Sequence, residues 1–268
     1  SARHLLQIDA CTRCGKCHEV CPARATGLPL SPRDVVLEIH ERGFPGDGTP
    51  PPVFDGPAAL PTATAGDLVG EPGPRPETLW SCMQCNACVE ICPVGIEQAP
   101  LINLLRRDLV EEGELDPGLQ KTLRSITKSG NSFGENKRKR ARWTEALDFT
   151  VPDAREQQVD YLWFVGDYAS FDPRVQRVTL KFARLLQAAG VDFGVLMEAE
   201  QNSGNDVRRV GEEGLFEMLA RSNIEALASA RFKRIVTTDP HSLNALRQEY
   251  PALGGTYEVL HHTDLLLE

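Results

Sequence analysis

The sequence has no long apolar run and no excess of positive charge. Its longest apolar runs, Tyr161–Val165 and Phe193–Met197, fall far short of the roughly 20 residues that cross a bilayer, so we expect no membrane span. The chain has 29 Lys and Arg against 38 Asp and Glu, a net charge of −9. A general nucleic-acid binder is excluded, because neutralising phosphates requires a basic surface. The N-terminus, Ser-Ala-Arg-His, has no signal-peptide pattern.

Cysteine is absent after Cys92, and all eight cysteines lie in two groups of four. The groups are Cys11, Cys14, Cys17 and Cys21, and Cys82, Cys85, Cys88 and Cys92. An even number of cysteines suits disulfides in a secreted chain. Three thiols within seven residues, twice over, suit metal binding better than the cross-linking of distant segments. The spacing therefore predicts a metal protein in a reducing, cytoplasm-facing compartment.

The two groups repeat one motif, Cys-x-x-Cys-x-x-Cys-x-x-x-Cys-Pro, at Cys11–Pro22 and at Cys82–Pro93. This run is typical of bacterial ferredoxins, in which four thiolates hold a four-iron cluster and the fourth cysteine binds the neighbouring cluster. We therefore predict two [4Fe–4S] clusters. One is held by Cys11, Cys14, Cys17 and Cys92, and the other by Cys82, Cys85, Cys88 and Cys21. The alternatives are a reservoir of free thiols or two zinc sites, whose ligands usually come in pairs with a longer gap.

Composition divides the chain into two predicted domains and a linker. Residues 1–128 form a helical ferredoxin domain, with an irregular Pro/Gly-rich insertion at 43–78. Ser31 and Pro32 begin one of its helices, whose apolar face includes Val35, Val36 and Ile39. Residues 129–158 form a basic linker containing Lys-Arg-Lys-Arg-Ala-Arg at 137–142. This run either meets an acidic partner or an anionic membrane surface, or is simply a solvated linker.

Residues 159–268 are predicted to form an α/β domain, because strand-like and helix-like segments alternate. The predicted strands are 159–165, 191–197, 234–238 and 257–260. Helices are predicted at about 175–189, 215–230 and 240–249. The predicted fold class is thus α followed by α/β with a parallel sheet.

Polar residues follow each predicted strand, where ligands of open parallel sheets bind. Asp167 follows the first strand, Asn202 and Ser203 the second, Asp239, His241 and Ser242 the third, and His261 and His262 the fourth. The alternative is that they are ordinary helix caps, because Asp239 before Pro240 suits a helix start. No Gly-x-Gly-x-x-Gly is present, so neither flavin nor nicotinamide is expected in this chain.

These segments resemble the cysteine-rich, CCG-type domain of heterodisulfide-reductase-like iron–sulfur oxidoreductases. The matching segments are Gly-Asp-Tyr-Ala-Ser-Phe-Asp-Pro-Arg at 166–174, Gln-Asn-Ser-Gly-Asn-Asp-Val-Arg-Arg at 201–209, Thr-Asp-Pro-His-Ser at 238–242 and His-His-Thr at 261–263. With the doubled cysteine motif, the resemblance covers nearly the whole chain. It is closest to membrane-bound electron-transfer-flavoprotein dehydrogenases.

The sequence departs from that pattern at its cysteines. Asp167, Asn202, Asp239 and Ser242 stand where the pattern has cysteine, and Ser203 stands in its Cys/Thr slot. A thiolate-bound cluster is therefore excluded in this domain, and we expect it to have lost the cluster and to serve as a docking scaffold. The alternative is a mononuclear metal at Asp167, Asp239 and His241, because carboxylate and imidazole suit harder metals.

The resemblance implies an electron-transfer module of an oxidoreductase. Electrons would pass from reduced electron-transfer flavoprotein, in fatty-acid β-oxidation, through the two clusters toward menaquinone. It implies a quinone-reducing membrane anchor in the full-length protein, at the cytoplasmic face of the plasma membrane, and we expect the natural chain to continue beyond Glu268. The alternative is an iron–sulfur component of a soluble heterodisulfide-reductase-like complex that acts on thiol or disulfide substrates.

Overall fold

The computed structural model describes residues 2–43 and 74–268. Most of the predicted insertion at 43–78 lies outside the described residues. The prediction of irregular structure is wrong for residues 76–78, because they belong to the helix Pro76–Trp80. Pro76 occupies the first turn, where the fixed φ of proline favours a helix start and its missing N–H costs no hydrogen bond.

The chain divides into two compact units. The first comprises Ser1–Leu115 with Arg209–Gly211, and the second comprises Asp116–Arg208 with Glu212–Glu268. No helix in the described ranges combines the length and apolar character needed to cross a membrane.

The first unit is helical in its described part. Its elements are α1 (Ala2–Asp9), α2 (Lys16–Glu19), α3 (Pro22–Ala25), α4 (Pro32–Gly43), α5 (Pro76–Trp80), α6 (Ala87–Glu90) and α7 (Gln98–Glu111). As predicted, α4 begins after Ser31, whose Oγ accepts a hydrogen bond from the Asp34 amide at 3.2 Å. Leucines and isoleucines of α4, α5 and α7 share one core, against which Cys21 is buried. The cysteine loops thus pack against an apolar core.

The second unit contains a four-stranded parallel sheet with strand order β2-β1-β3-β4. The strands are β1 (Tyr161–Phe164), β2 (Phe193–Gly194), β3 (Arg234–Thr237) and β4 (Val259–His261). Its α-helices are α8 (Pro117–Ser129), α9 (Asp167–Phe171), α10 (Pro173–Ala188), α11 (Asn205–Val210), α12 (Glu213–Ala228), α13 (Pro240–Asn244) and α14 (His262–Leu265). The predicted parallel α/β sheet is confirmed.

Two details of the second unit differ from the sequence prediction. The strand predicted at 191–197 is shortened to Phe193–Gly194, and the extended backbone has ended by Leu196, whose φ is −85° and ψ is 2°. The helix predicted at 240–249 continues beyond α13 as a π-helical turn, Ala245–Glu249.

The predicted first domain extends too far, because residues 116–128 lie in the second unit. The predicted linker, residues 129–158, also lies in the second unit. Helix α8 contributes Ile126 to the core formed by the sheet and α12. The predicted linker, residues 129–158, contains the short 3₁₀ turns Lys137–Lys139 and Arg142–Ala146. Trp143 is buried there, and its ring centroid lies 5.3 Å from that of Trp163 of β1. This segment is therefore packed structure rather than a free connection.

Candidate metal centres

The first cysteine motif forms a tight loop that ends in a one-turn helix. Cys11 and Cys14 lie in the loop, and Cys17 is buried on α2. Two residues of the loop adopt left-handed backbone, Arg13 with φ 56° and Gly15 with φ 79°. A left-handed residue other than glycine costs about 1 to 2 kcal/mol, so the loop holds its curvature against an intrinsic preference.

The second motif adopts the same conformation at the same positions. Gln84 has φ 54° and Asn86 has φ 60°, and Cys88 is buried on α6. The amide of Gln84 donates to Cys82 Sγ at 3.4 Å, and the amide of Ile96 donates to Cys92 Sγ at 3.3 Å. Amides directed at sulfur stabilise thiolates, so both the curvature and the donors fit a cluster-binding loop.

The fourth cysteine of the first motif lies with the first three of the second. One cavity is lined by Cys21 together with Cys82, Cys85 and Cys88. The charges that act on Cys82 include those of Cys85 and Cys21. In the same way, Cys11 and Cys92 act electrostatically on Cys17. Each of these neighbourhoods combines cysteines from both motifs.

The cysteines differ in their environments. Burial, reinforced by neighbouring thiols, raises the pKa of Cys17 to about 11 and that of Cys88 to about 12. The exposed Cys14 is the opposite case, because a hydrogen bond from the Lys16 amide lowers its pKa. Each motif thus has one buried cysteine on a short helix and one exposed cysteine, Cys14 or Cys85, at its loop tip.

Within residues 2–43 and 74–268, no three His, Cys, Asp or Glu side chains are grouped to hold one metal ion. A zinc site needs its ligands to meet at a single ion. A four-iron cluster is less demanding, because each thiolate binds a different iron of the cubane. The arrangement of the cysteines is therefore compatible with a four-iron cluster, whose thiolates do not meet at one ion.

In the second unit, Asp167 and Asn202 meet at the carboxyl edge of the sheet. Asn202 Nδ2 donates to Asp167 Oδ2 at 2.7 Å. The same oxygen accepts from the amide and the hydroxyl of Ser132, at 2.8 and 3.1 Å. Ser203 is buried next to Asn202, and its carbonyl accepts from the Tyr250 hydroxyl at 3.0 Å.

The other carboxylate oxygen of Asp167 is held by Arg140, from the predicted basic linker. Arg140 Nη2 lies 2.7 Å from Asp167 Oδ1, and Nη1 lies 3.0 Å from Glu200 Oε1. Glu200 also accepts from the amides of Val165 and Gly166, each at 2.8 Å. Burial raises the pKa of Glu200, and the charge of Arg140 opposes that rise.

Asp167 therefore accepts four hydrogen bonds within the protein, which is the acceptor capacity of a carboxylate. A metal ion there would have to displace Arg140 or two of the amide and hydroxyl donors. The arrangement does not support a mononuclear metal at Asp167.

Asp239 acts as a helix cap. Its Oδ1 accepts from the His241 amide at 3.0 Å, and its Oδ2 accepts from the Ser242 amide and hydroxyl at 3.1 and 2.6 Å. His241 Nδ1 lies 2.9 Å from Asn205 Nδ2. A Cβ placed on Gly166 would lie 3.4 Å from Asp239 Oδ2, so Asp239 neighbours the end of β1. The predicted site residues thus share one sheet edge but form separate hydrogen-bonded groups.

Sequence reasoning missed Arg140, Glu200, Ser132 and Arg106. Arg140 lies in the run at 137–142 that the sequence predicts to be part of a basic linker, and Glu200 follows the second predicted strand. Arg106 had a signal in the sequence, because its spacing places it on the apolar side of the helix that contains Leu101, Leu105 and Leu109. In the structure it is buried together with these leucines.

Comparison with known proteins supports the interpretation of the cysteine motifs. Residues 10–97 match the family model of the 4Fe-4S dicluster domain. The chain is 38% identical to the probable iron-sulfur-binding oxidoreductase FadF of Bacillus subtilis (strain 168), an alignment that covers 98% of the chain and 42% of that protein.

Two further relatives have related names. The EtfAB:quinone oxidoreductase of Syntrophomonas wolfei is 33% identical, over 98% of the chain and 40% of that protein. One component of the dihydromethanophenazine:CoB–CoM heterodisulfide reductase of Methanosarcina mazei (strain ATCC BAA-159) is 27% identical, over 100% of the chain and 64% of that protein. The chain thus spans less than two thirds of the length of each relative.

Proposed function

We propose that this chain transfers electrons through two clusters with crossed ligation. The chain is a 4Fe–4S dicluster ferredoxin-like protein related to FadF, EtfAB:quinone oxidoreductase and heterodisulfide reductase. The predicted relationship to heterodisulfide-reductase-like iron–sulfur oxidoreductases is confirmed. The dicluster domain and its two cysteine patterns imply two [4Fe–4S] clusters, and electron transfer within an oxidoreductase follows. The assignment of each cysteine to a cluster is part of the proposal.

The observation that carries crossed ligation is the cavity lined by Cys21 with Cys82, Cys85 and Cys88. The first cluster is then bound by Cys11, Cys14, Cys17 and Cys92. Since each motif contributes to both clusters, the two lie side by side in one small unit. When bound, each cluster supplies a one-electron carrier.

The residues of this chain would hold the two clusters between the buried apolar core and the protein surface. The buried Cys17 and Cys88 hold the inner side of each site, where water is excluded by the apolar core. The exposed Cys14 and Cys85 mark the outer side, where an electron can enter or leave. The two exposed cysteines belong to different ligand sets, so we expect one cluster to receive electrons and the other to pass them on.

The route of the electrons is proposed by relationship. A relative is named EtfAB:quinone oxidoreductase, and we propose that reduced electron-transfer flavoprotein is the donor and menaquinone the acceptor, in fatty-acid β-oxidation. Quinone reduction would take place in a membrane anchor of the full-length protein, at the cytoplasmic face of the plasma membrane. The second unit has no cysteine, so we propose that it docks a protein partner rather than carrying a third cluster.

The test begins with cluster content. This chain, loaded without oxygen, should contain about eight irons and about eight sulfides, because two four-iron clusters use all eight of its thiols. Electron paramagnetic resonance of the reduced protein should show two interacting clusters. Zinc in place of iron, or a third cluster in this chain, would refute the proposal.

The donor is tested separately. Chemically reduced electron-transfer flavoprotein should bleach the cluster absorbance of the loaded chain. Of Cys14→Ser and Cys85→Ser, the change at the cluster that receives the electron should slow reduction of both clusters. A free flavin of similar potential is the control for specific docking. Bleaching at the same rate by free flavin would contradict a docked flavoprotein donor while leaving the electron-transfer function in place.

A further inference from the structure

Arg106 is a buried arginine on the helix that supports the second cysteine motif. It lies on α7 among Leu101, Leu105 and Leu109, and only 5% of its surface is exposed. Its guanidinium stacks 5.1 Å from the ring centroid of Trp80. Arginine is almost never this buried without a partner of opposite charge.

The guanidinium donates to backbone carbonyls rather than to a carboxylate. Nε and Nη2 donate to Leu79 O at 3.1 and 2.7 Å, and Nη2 also donates to Trp80 O at 3.3 Å and to Cys82 O. Nη1 donates to Arg209 O at 2.9 Å. Most of these carbonyls lie at the entrance to the second cysteine loop, so Arg106 holds that loop and places its charge there.

Within the described ranges, no carboxylate forms an ion pair with Arg106. Carbonyl dipoles satisfy its N–H groups, but they do not neutralise its charge. A buried charge without a counter-charge is costly, because solvation is lost in a medium of low dielectric constant. Its location therefore points to a negatively charged group that the protein binds nearby.

The nearest candidate for that negative group is the cysteine set that begins at Cys82. The charge of Arg106 acts directly on the Cys82 thiol. Four thiolates around a [4Fe–4S] core carry net negative charge, which increases by one on reduction. A fixed buried cation beside them favours the reduced state, since net charge and burial set the potentials of such clusters.

We propose that Arg106 is the buried counter-cation of the cluster bound by Cys82, Cys85, Cys88 and Cys21, and that it makes this cluster the one of higher reduction potential. This inference rests on the proposed function. Electrons that enter at the Cys14 side would then move to the Cys85 side, so Arg106 sets the direction of transfer between the two clusters.

The first motif has a weaker counterpart in Arg33. Its Nη1 would lie 4.0 Å from a Cβ placed on Gly15, and its charge is felt by Cys17 and Cys11. Arg33 is paired with Asp34 at 2.7 Å, and its side chain is 34% exposed. Its charge is therefore partly neutralised and screened by solvent, whereas that of Arg106 is neither.

The test is a redox titration, followed by electron paramagnetic resonance, of the loaded full chain as wild type, Arg106→Gln, Arg106→Lys and Arg3→Gln. The signal that Cys85→Ser alters identifies the second cluster. In Arg106→Gln we expect at least a tenfold fall in its ratio of reduced to oxidised form at a fixed potential, which is 59 mV for a one-electron couple. Arg106→Lys keeps the charge and should recover most of the shift. Arg3→Gln removes an exposed charge paired with Glu97 and should leave both potentials unchanged.

Added salt gives a second readout. Because buried charges are poorly screened, the shift in Arg106→Gln should persist at high ionic strength, whereas any shift in Arg33→Gln should diminish. Unchanged potentials in a folded Arg106→Gln with full iron content would overturn the inference. An equal shift in Arg106→Lys would also overturn it, because the hydrogen bonds rather than the charge would then be responsible.

If Arg106→Gln does not fold, the wild type still decides the matter. The cluster identified through Cys85→Ser must have the higher potential, and a lower potential for it would overturn the inference. Failure of the proposed function looks different, because the wild-type chain would then contain no pair of four-iron clusters to titrate.

Discussion

Arg140 Nη2 and Asp167 Oδ1 lie 2.7 Å apart, and both side chains are almost completely buried. The arginine comes from a polar segment and the aspartate from the turn after the first strand. With Glu200 as second partner, one guanidinium is shared by two buried carboxylates. The family resemblance associates this edge of the sheet with a cluster. In this protein, ion pairs between its own side chains occupy that edge.

Removing the cation should destabilise the second unit strongly. Arg140→Met leaves two buried carboxylates without a counter-charge, and we expect a loss of about 3 to 5 kcal/mol in the free energy of unfolding by urea. Arg142→Met is the matched control. Arg142 is exposed and 3.7 Å from Glu145, so it should change stability by less than about 0.5 kcal/mol. Equal effects of the two substitutions would contradict the structural role of Arg140.

The same variant should show a specific pH dependence. Burial already raises the pKa of Glu200 in the wild type, and loss of Arg140 should raise it further. A carboxyl whose pKa is raised by folding stabilises the protein below its unfolded pKa, about 4.3, and loses that contribution as the pH rises through the folded pKa. The stability difference between Arg140→Met and wild type should therefore shrink toward pH 4 and grow toward pH 7. A difference that is constant with pH would contradict this account.

Asp239 is expected to act as a helix cap and nothing more. Asp239→Ala removes the acceptor for the amides of His241 and Ser242 and should cost about 1 kcal/mol of stability. Asp239→Asn retains an acceptor and is the matched control, with a cost of a few tenths of a kcal/mol. Metal analysis and the cluster spectra should be unchanged in both. Loss of a stoichiometric ion other than cluster iron would restore the mononuclear-metal hypothesis.

Crossed ligation predicts reciprocal effects of the two fourth cysteines. Cys21→Ala should damage the cluster of Cys82, Cys85 and Cys88, because Cys21 lines their cavity. Cys92→Ala should damage the cluster of Cys11, Cys14 and Cys17, because Cys92 lies in that group. Cluster signals in the reduced proteins distinguish the two variants. If Cys21→Ala selectively removed the signal of the Cys11 group, ligation would be local within each motif.

The cluster-free protein should show a marked order of thiol reactivity. The thiolate is the nucleophile, and Cys14 has a lowered pKa, while the pKa values of Cys17 and Cys88 are raised to about 11 and about 12. Iodoacetamide at pH 7 to 9 should therefore modify Cys14 before Cys17 and Cys88, as measured by peptide mass spectrometry. The urea-unfolded chain is the control, in which the rates should become similar. Equal rates in the folded, cluster-free chain would contradict the assigned environments.

The sequence by itself determined the kind of chemistry and the class of fold. Two copies of a motif with short, fixed spacing constrain local loop geometry, so the cysteines and their chemistry were predictable from neighbouring residues. Alternating apolar strands and amphipathic helices, such as β1 and α10, likewise depend on local periodicity. The absence of cysteine after Cys92 was enough to exclude a thiolate-bound cluster from the second unit.

Only the tertiary structure decided how distant charges are paired. Arg140 and Asp167 are far apart in sequence, and nothing local distinguishes Arg140 from the exposed Lys139 and Arg142 on either side of its turn. In the sequence Arg106 is one polar residue on an apolar helix, whereas the structure places its guanidinium against the carbonyl of Cys82. Burial is a property of the packed chain, and the energy of a charge depends on the dielectric and the partners that packing provides. For that reason the motif alone predicts which cysteines bind the clusters, whereas the buried cations Arg140 and Arg106 could not be predicted from the sequence.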